Sequence, residues 1–425
     1  MEISHTVGDV FGIQRDLPLN YVDRKEVDEL FIDSLSRKKH IVIYGSSKQG
    51  KTSLRKHCLS ETDYISVHCS NKWNLAALHA SILKAAGYEV TASKTKTTSG
   101  DFKITAEAKG SLFGLASTKG GMEAEGGKST ETVIEPLELD PTDVNDIIKA
   151  LNQFKQFIVL EDFHYLPLET QKDFAIALKA FHEQSSLCFI IIGVWLEENR
   201  LTVYNGDLTG RVIGINADQW SDEQLNNVIS AGEALLNISF ATSFKESLLG
   251  SCFDSVSIVQ EACYIACKNE NINSTNIKYQ EDVGANADVK DIILKVVSQQ
   301  TGRYNSFITN FSVGFQSSEL EMYKWLLYPV LTSTSQDLES GLRYNNITKI
   351  LKENHPKGKD LNPGNITQAL LNIASLQVQK GITPIVLDYD QTNLRLNVVD
   401  RGFLIWRDNQ DLNATLGMAG LPIPS

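Results

Sequence analysis

The sequence predicts an α/β fold: a parallel sheet with helices between its strands, then a helical lid and a C-terminal winged-helix domain. Three observations lead there. A strand-like run, Ile41-Val42-Ile43-Tyr44, feeds directly into Gly45-Ser46-Ser47-Lys48-Gln49-Gly50-Lys51-Thr52, which fills every position of the phosphate-binding loop pattern, and the chain is helix-compatible from Ser53. A second apolar run, Phe157-Ile158-Val159-Leu160, ends at the adjacent acids Glu161 and Asp162. Near the C-terminus three helical patterns precede a hairpin, the order of a winged helix.

The loop needs glycine at both ends. Its backbone N–H groups have to curl toward phosphate oxygens, and a side chain at Gly50 would block their approach. Lys51 is expected against the β- and γ-phosphates, with Thr52 on Mg²⁺. Gly45, Ser46, Ser47, Lys48, Gln49, Gly50 and Ser53 complete the cradle, and the helix starting at Lys51 turns its positive dipole end to the same anion. The stretch therefore points to a bound nucleotide.

The paired acids supply the second half of that chemistry. One carboxylate orders Mg²⁺ through water while its neighbour polarises the attacking water, so both belong at the C-terminal end of a strand. By position Glu161 is the metal-side acid and Asp162 the base. The usual order is Asp then Glu, and the shortened base points to binding with slow turnover. His164 either reaches the γ-phosphate region or is a satisfied structural histidine.

Composition narrows the class. At 425 residues the chain is expected to hold two to four domains. A formal charge of −12 argues against nonspecific coating of nucleic acid, which needs clustered Lys and Arg. No secretory signal is expected at the N-terminus, and the longest apolar run, 187–196, is too short to span a bilayer. The six cysteines include no C-x-x-C, which favours a reduced, cytoplasmic chain. Cys263 and Cys267 share a helical face without a further ligand nearby, so a buried structural role is expected.

In chain order, residues 1–215 are expected to form the core. Val27, Leu30, Phe31 and Leu35 form one stripe of an early helix. Residues 64–69 read as a second strand and 73–87 as a helix. Residues 91–135 read as an insertion of one or two flat, glycine-rich hairpins, a contact surface for a partner, with a disordered loop as the alternative. Asp140-Pro141-Thr142-Asp143 starts a helix by Asp or Thr capping, another covers 167–184, and 187–194 form a buried strand. Residues 216–275 are expected to be the lid, opened by Ser221 as N-cap with Gln224 three positions on. A connector over 276–318, a winged helix over 319–412 and a loose tail over 413–425 complete the division. The recognition helix, 365–379, offers Asn365, Gln368 and Asn372 to a DNA groove, but has no positive residue before Lys380.

With Gly45–Thr52, the acids at 161–162, the lid and the wing in place, the chain resembles the AAA+/STAND P-loop ATPases of bacteria and archaea, in the order seen in origin-recognition-like proteins. The resemblance implies ATP with Mg²⁺, ATP hydrolysis, and a nucleotide state that controls conformation or assembly. It implies that Tyr21 and Val22 pack on the adenine, and that Arg211, with Arg200 in reserve, reaches a neighbour's γ-phosphate in a homo-oligomer. The strand ending at Gly193-Val194-Trp195 lacks the polar γ-phosphate sensor of AAA+ relatives. Such ATPases often serve bacterial defence or mobile elements. The leading expectation is an ATP-dependent switch acting on itself or on a protein effector, without a membrane. The alternative is a DNA-associated loader or remodeller that uses its winged helix on duplex.

Overall fold

A computed structural model describes residues 4–13, 16–96, 102–108, 137–152, 154–218, 220–316 and 318–424. The chain opens with α1 (Val7–Phe11), α2 (Lys25–Ser36), β1 (His40–Tyr44), α3 (Lys51–Cys58), β2 (Tyr64–His68) and α4 (Leu75–Ala85). An antiparallel sheet follows, made of β3 (Tyr88–Lys96), β4 (Phe102–Ala108) and β5 (Leu137–Leu139). Next come α5 (Val144–Ala150), β6 (Phe157–Glu161), α6 (Leu168–Gln184), β7 (Phe189–Ile192), α7 (Arg200–Tyr204) and β8 (Val212–Asn216).

The main sheet has the order β2-β6-β7-β1-β8, with every pairing parallel. Alternation along β1 explains why helices cover both faces. Ile41 and Ile43 pack with Phe31, Leu54 and Ile190 on one side, whereas Val42 and Tyr44 join Leu160, Ile191 and Phe174 on the other. Because β1 lies inside the sheet, paired with β7 on one side and β8 on the other, the loop leaving its C-terminal end opens on the crevice where parallel sheets bind ligands. This is the P-loop NTPase fold.

The second module comprises α8 (Asp222–Leu236), β9 (Ile238–Phe240), α9 (Thr242–Leu249), α10 (Val256–Asn269), β10 (Gln280–Val283), α11 (Val289–Ser298) and α12 (Thr301–Ser312). Ser221 caps α8 in the predicted capping box with Gln224. The third begins with α13 (Met322–Thr332), α14 (Ser335–Glu339), β11 (Leu342–Arg343) and α15 (Tyr344–Asn354). It continues through α16 (Pro363–Leu371), α17 (Ile373–Gln379), β12 (Leu387–Asp390), β13 (Arg395–Val398), α18 (Arg401–Asp408) and α19 (Leu412–Ala419). Its sheet runs β11-β13-β12, antiparallel throughout, so the winged helix has a third strand that the hairpin pattern did not announce.

The connector, expected as a linker or a helical segment, is helical: Ile293 and Val297 of α11 and Phe307 and Phe311 of α12 are buried in one core that runs from lid to wing. Three expectations change. The tail is helical instead of loose, since Leu416 and Ala419 of α19 enter that core. The N-terminus belongs with the lid, where Val7 N–H donates to the Asn273 carbonyl and Phe11 fills the space that a side chain at Gly232 would need. The recognition helix is broken at Asn372, and Gln377 on its second half caps the backbone at Val386 and Leu387. In the insertion, β3 and β4 pair antiparallel as one hairpin, while the place expected for a second one, 109–136, lies outside the described residues. Among the described residues no helix is long and apolar enough to cross a membrane.

Candidate functional site

The phosphate loop has the backbone its sequence requires. Gly50 caps α3 in the left-handed region at φ +81°, and Gly45 stands at φ +146°, where an added Cβ would meet the Asp218 nitrogen at 2.9 Å. Lys51 is buried, and its Nζ donates to the Gly45 carbonyl at 2.9 Å and the Ser46 carbonyl at 2.5 Å. Burial brings its pKa down to about 8, with Asp218, Asp162 and Glu161 pulling the other way. Thr52 and Ser53 line the same cleft as Lys51.

The crest of the loop is held from outside. Ser46 N–H donates to Asp218 Oδ1 at 2.7 Å, and Ser47 N–H donates to the carbonyl of Val399 at 2.8 Å. Arg401, at the start of α18, completes the arrangement with a 2.9 Å ion pair to Asp218 Oδ2. The winged helix thus bonds directly to the phosphate loop. Neither Asp218, Val399 nor Arg401 was foreseen, because their partners lie some 170 to 350 positions away and no local pattern marks them.

Glu161 and Asp162 both face the cleft, with different surroundings. Glu161 is buried and takes Arg55 Nε at 2.9 Å, while that guanidinium lies over the Tyr64 ring. Asp162 is half-exposed, left-handed at φ +56°, and has His68 within 3.9 Å. Burial raises the carboxyl pKa of each, and Arg55 at Glu161 and His68 at Asp162 oppose that shift. Glu161 therefore carries its own counter-ion in Arg55, a pairing that no local pattern announces.

Behind them His164 is buried, its Nδ1 accepting the Val194 N–H at 3.3 Å. Burial, with Lys51 and Arg200 nearby, holds the imidazole neutral. Trp195 is core, packed edge-on against Phe163, as expected for its strand end.

The cleft has a volume of about 330 Å³. Away from the phosphate loop its walls are Tyr21, Val22, Trp220, Val228, Val256 and Gln260, so Tyr21 and Val22 line the same cleft as the loop. Tyr21 is fixed by a 2.5 Å bond to Asp28 and by stacking on His57. Asn20 and Gln260 exchange amide hydrogen bonds at 2.8 and 2.9 Å, joining the N-terminal segment to lid helix α10. Arg24 lies over the Trp220 ring, 4.3 Å from its centroid.

The two arginine candidates are not in the cleft. Arg211 precedes β8 at the N-terminal end of the sheet, where its carbonyl takes the His40 N–H and its side chain pairs with Glu183 and the Asp207 carbonyl. The five residues of β1 separate that end from the phosphate loop by about 16 Å. Arg200 is buried between Glu197 and Asp388 of β12, which ties core to wing and leaves it unavailable to a neighbour. Cys263 and Cys267 are buried and free, and neither joins a group of metal-ligating side chains among the described residues.

Solved structures of similar outline have low identity. The Walker-type ATPase PABY2304 of Pyrococcus abyssi is 12% identical with a TM-score of 0.49, covering 93% of this chain and 99% of that one. The Aeropyrum pernix ORC2 protein, solved as ADPNP–ADP complexes, is 11% identical at 0.44, covering 96% and 97%. The Aeropyrum pernix ORC1 protein in complex with DNA is 9% identical at 0.44, covering 98% and 99%. No family model matches the chain, and no curated protein matches it.

Proposed function

We propose that this chain is an AAA+/STAND-type ATPase that binds ATP and hydrolyses it slowly, its nucleotide state setting the position of the winged helix. The observation that carries this reading is the Ser47 N–H to Val399 carbonyl bond, which places the wing on the loop that receives the phosphates. Anything that reshapes the loop changes that contact and the adjacent Arg401–Asp218 pair.

In this reading Tyr21 and Val22 hold the base, and the N–H groups from Lys48 to Ser53 cradle the phosphates. Lys51 swings from its own loop carbonyls to the β- and γ-phosphate oxygens, where an anion restores the full charge that burial disfavours. The donor set fits Mg²⁺, since a hydroxyl and two carboxylates converge on one cleft beside that lysine. Thr52 and Glu161 would hold the ion, whose chemistry is to draw charge from the transferred phosphoryl group. Arg55 keeps Glu161 in place and tempers its charge. Asp162 orients the attacking water and takes its proton; as the shorter acid it reaches less far, which suits slow turnover.

Arg211 fits a role in trans, since its end of the sheet lies away from its own cleft. The proposed assembly is a homo-oligomer in which it approaches the neighbour's γ-phosphate, or a complex with a protein effector. Six free cysteines suit a reducing, cytoplasmic setting.

ATP turnover by the protein and by Lys51→Ala, with and without duplex DNA across a salt series, tests the reading. Slow turnover indifferent to DNA and nucleotide binding at least roughly tenfold weaker in the variant are expected, as for loss of one charge-assisted phosphate contact. Stimulation by DNA that fades with salt and vanishes in the variant would favour the DNA-associated loader instead. A variant that binds Mg-ATP like the parent would refute the phosphate-site assignment.

A further inference from the structure

His164 is a buried donor without an acceptor. It is 3% exposed, and because its Nδ1 accepts the Val194 N–H, the ring proton belongs on Nε2. That nitrogen has no hydrogen-bond partner. Buried N–H groups are rarely left so, because nothing replaces the water they lose. The ring lines the cleft together with Lys51, Thr52 and Asp162. The neighbouring strand end supplies no side-chain donor, since Gly193 has none to offer, Val194 is apolar and Trp195 is enclosed by the core.

His164 also lines a small cavity of about 90 Å³ bordered by Glu197, Arg200 and Asp388, the ion pairs between core and wing. Its ring lies 4.1 Å from that of Tyr165, which packs on an apolar cluster of Val378, Ile385 and Val399. Val399 is also the residue whose carbonyl holds Ser47. One side chain therefore borders the phosphate cleft and the cavity of the interdomain ion pairs, and its ring neighbour Tyr165 packs on the cluster that seats the wing.

We infer that His164 is the positioning residue that tells a triphosphate from a diphosphate: its Nε2–H donates to a γ-phosphate oxygen, and the ring shift passes through Tyr165 to the wing. This rests on the nucleotide reading above and adds to it the element that discriminates ATP from ADP. The contact is made only when the third phosphate is present, so its loss alters the preference between nucleotides and leaves binding of the diphosphate intact.

The test compares binding of ADP and of the β,γ-imido analogue of ATP, each with Mg²⁺, to the full chain and to two variants. His164→Asn keeps an acceptor for the Val194 N–H and removes the outer donor, whereas His164→Gln extends an amide donor toward the place of Nε2. In His164→Asn the preference for the analogue should fall by about tenfold or more, the worth of one hydrogen bond to a charged group, with ADP affinity unchanged. His164→Gln should recover part of it. Should His164→Asn not fold by thermal melting, His164→Leu carries the same expectation. An unaltered preference in a folded variant lacking the donor overturns the inference while leaving the nucleotide reading intact. Failure of the parent chain to bind either nucleotide overturns both.

Discussion

The Tyr21–Trp220 walls of the cleft, the base side of the proposed reading, and its phosphate-loop end are held by different forces. Around the base pocket the contacts are neutral or internal to one wall: the Asn20–Gln260 amide exchange, Val228 and Val256, and Arg24 over Trp220. At the phosphate loop and along the core–wing seam, ion pairs that cross from one module to another join the Ser47–Val399 backbone bond, as with Arg401–Asp218 and Arg200–Asp388. Arg303–Asp400 reinforces the second set within the connector and wing. Neutral amides and apolar walls respond little to an arriving charge, whereas ion pairs in a low-dielectric setting respond strongly. In the proposed reading, anchoring falls to the Tyr21–Trp220 walls and readout of phosphate charge to the wing side.

Four changes break or sharpen that contrast, in order of expected size. Asp162→Ala should lower the turnover rate by about 10²–10⁴, the usual weight of a positioned base, with nucleotide affinity kept in titration calorimetry. Arg200→Ala leaves Glu197 and Asp388 buried without their cation and should destabilise the fold by about 3–5 kcal/mol in denaturant titration. Its amide exchange should rise first in β12 and β13, since the wing loses its tie.

Acid should act on both sides alike. Burial brings the pKa of His40 and of His79 down to about 4, so between pH 6.5 and 4 the unfolded chain takes up protons that the folded one refuses. Stability falls as pH drops through that window and is flat with respect to these two groups above it. Melting temperatures from pH 7.5 to 5 should show the loss, and His79→Gln should reduce it. The smallest effect belongs to Gln260→Ala, which should weaken ADP and ATP analogue by the same factor of roughly three to ten, one neutral hydrogen-bond pair. A change in their ratio would show that the base side also reads phosphate.

Much of the sheet was legible because its signals are local. Gly45 to Thr52 fixes a loop by spacing, Glu161 and Asp162 end an unbroken apolar strand, and Ser221 with Gln224 announces a helix start. The site's outer half was not legible. Asp218 and Arg401 stand 183 positions apart, Arg55 and Glu161 106 apart, and an arginine in a helix looks the same whether it faces water or a buried acid. The tail misled for a related reason. Residues 413–425, with their glycines and prolines, look loose alone, yet Leu416 finds a ready apolar surface on α12 and α13. Tertiary packing supplied the helix, as it commonly does for short segments.

The coupling between phosphate and wing is tested most directly by amide exchange across 386–402 and at Ser47, in the protein saturated with Mg-ADP and with the Mg-bound β,γ-imido analogue. Faster exchange in these segments with the analogue than with ADP is expected, since the triphosphate displaces Val399 and Arg401 from the loop. Equal exchange in both saturated states, with turnover present, would contradict the switch and leave a nucleotide site to which the wing is indifferent.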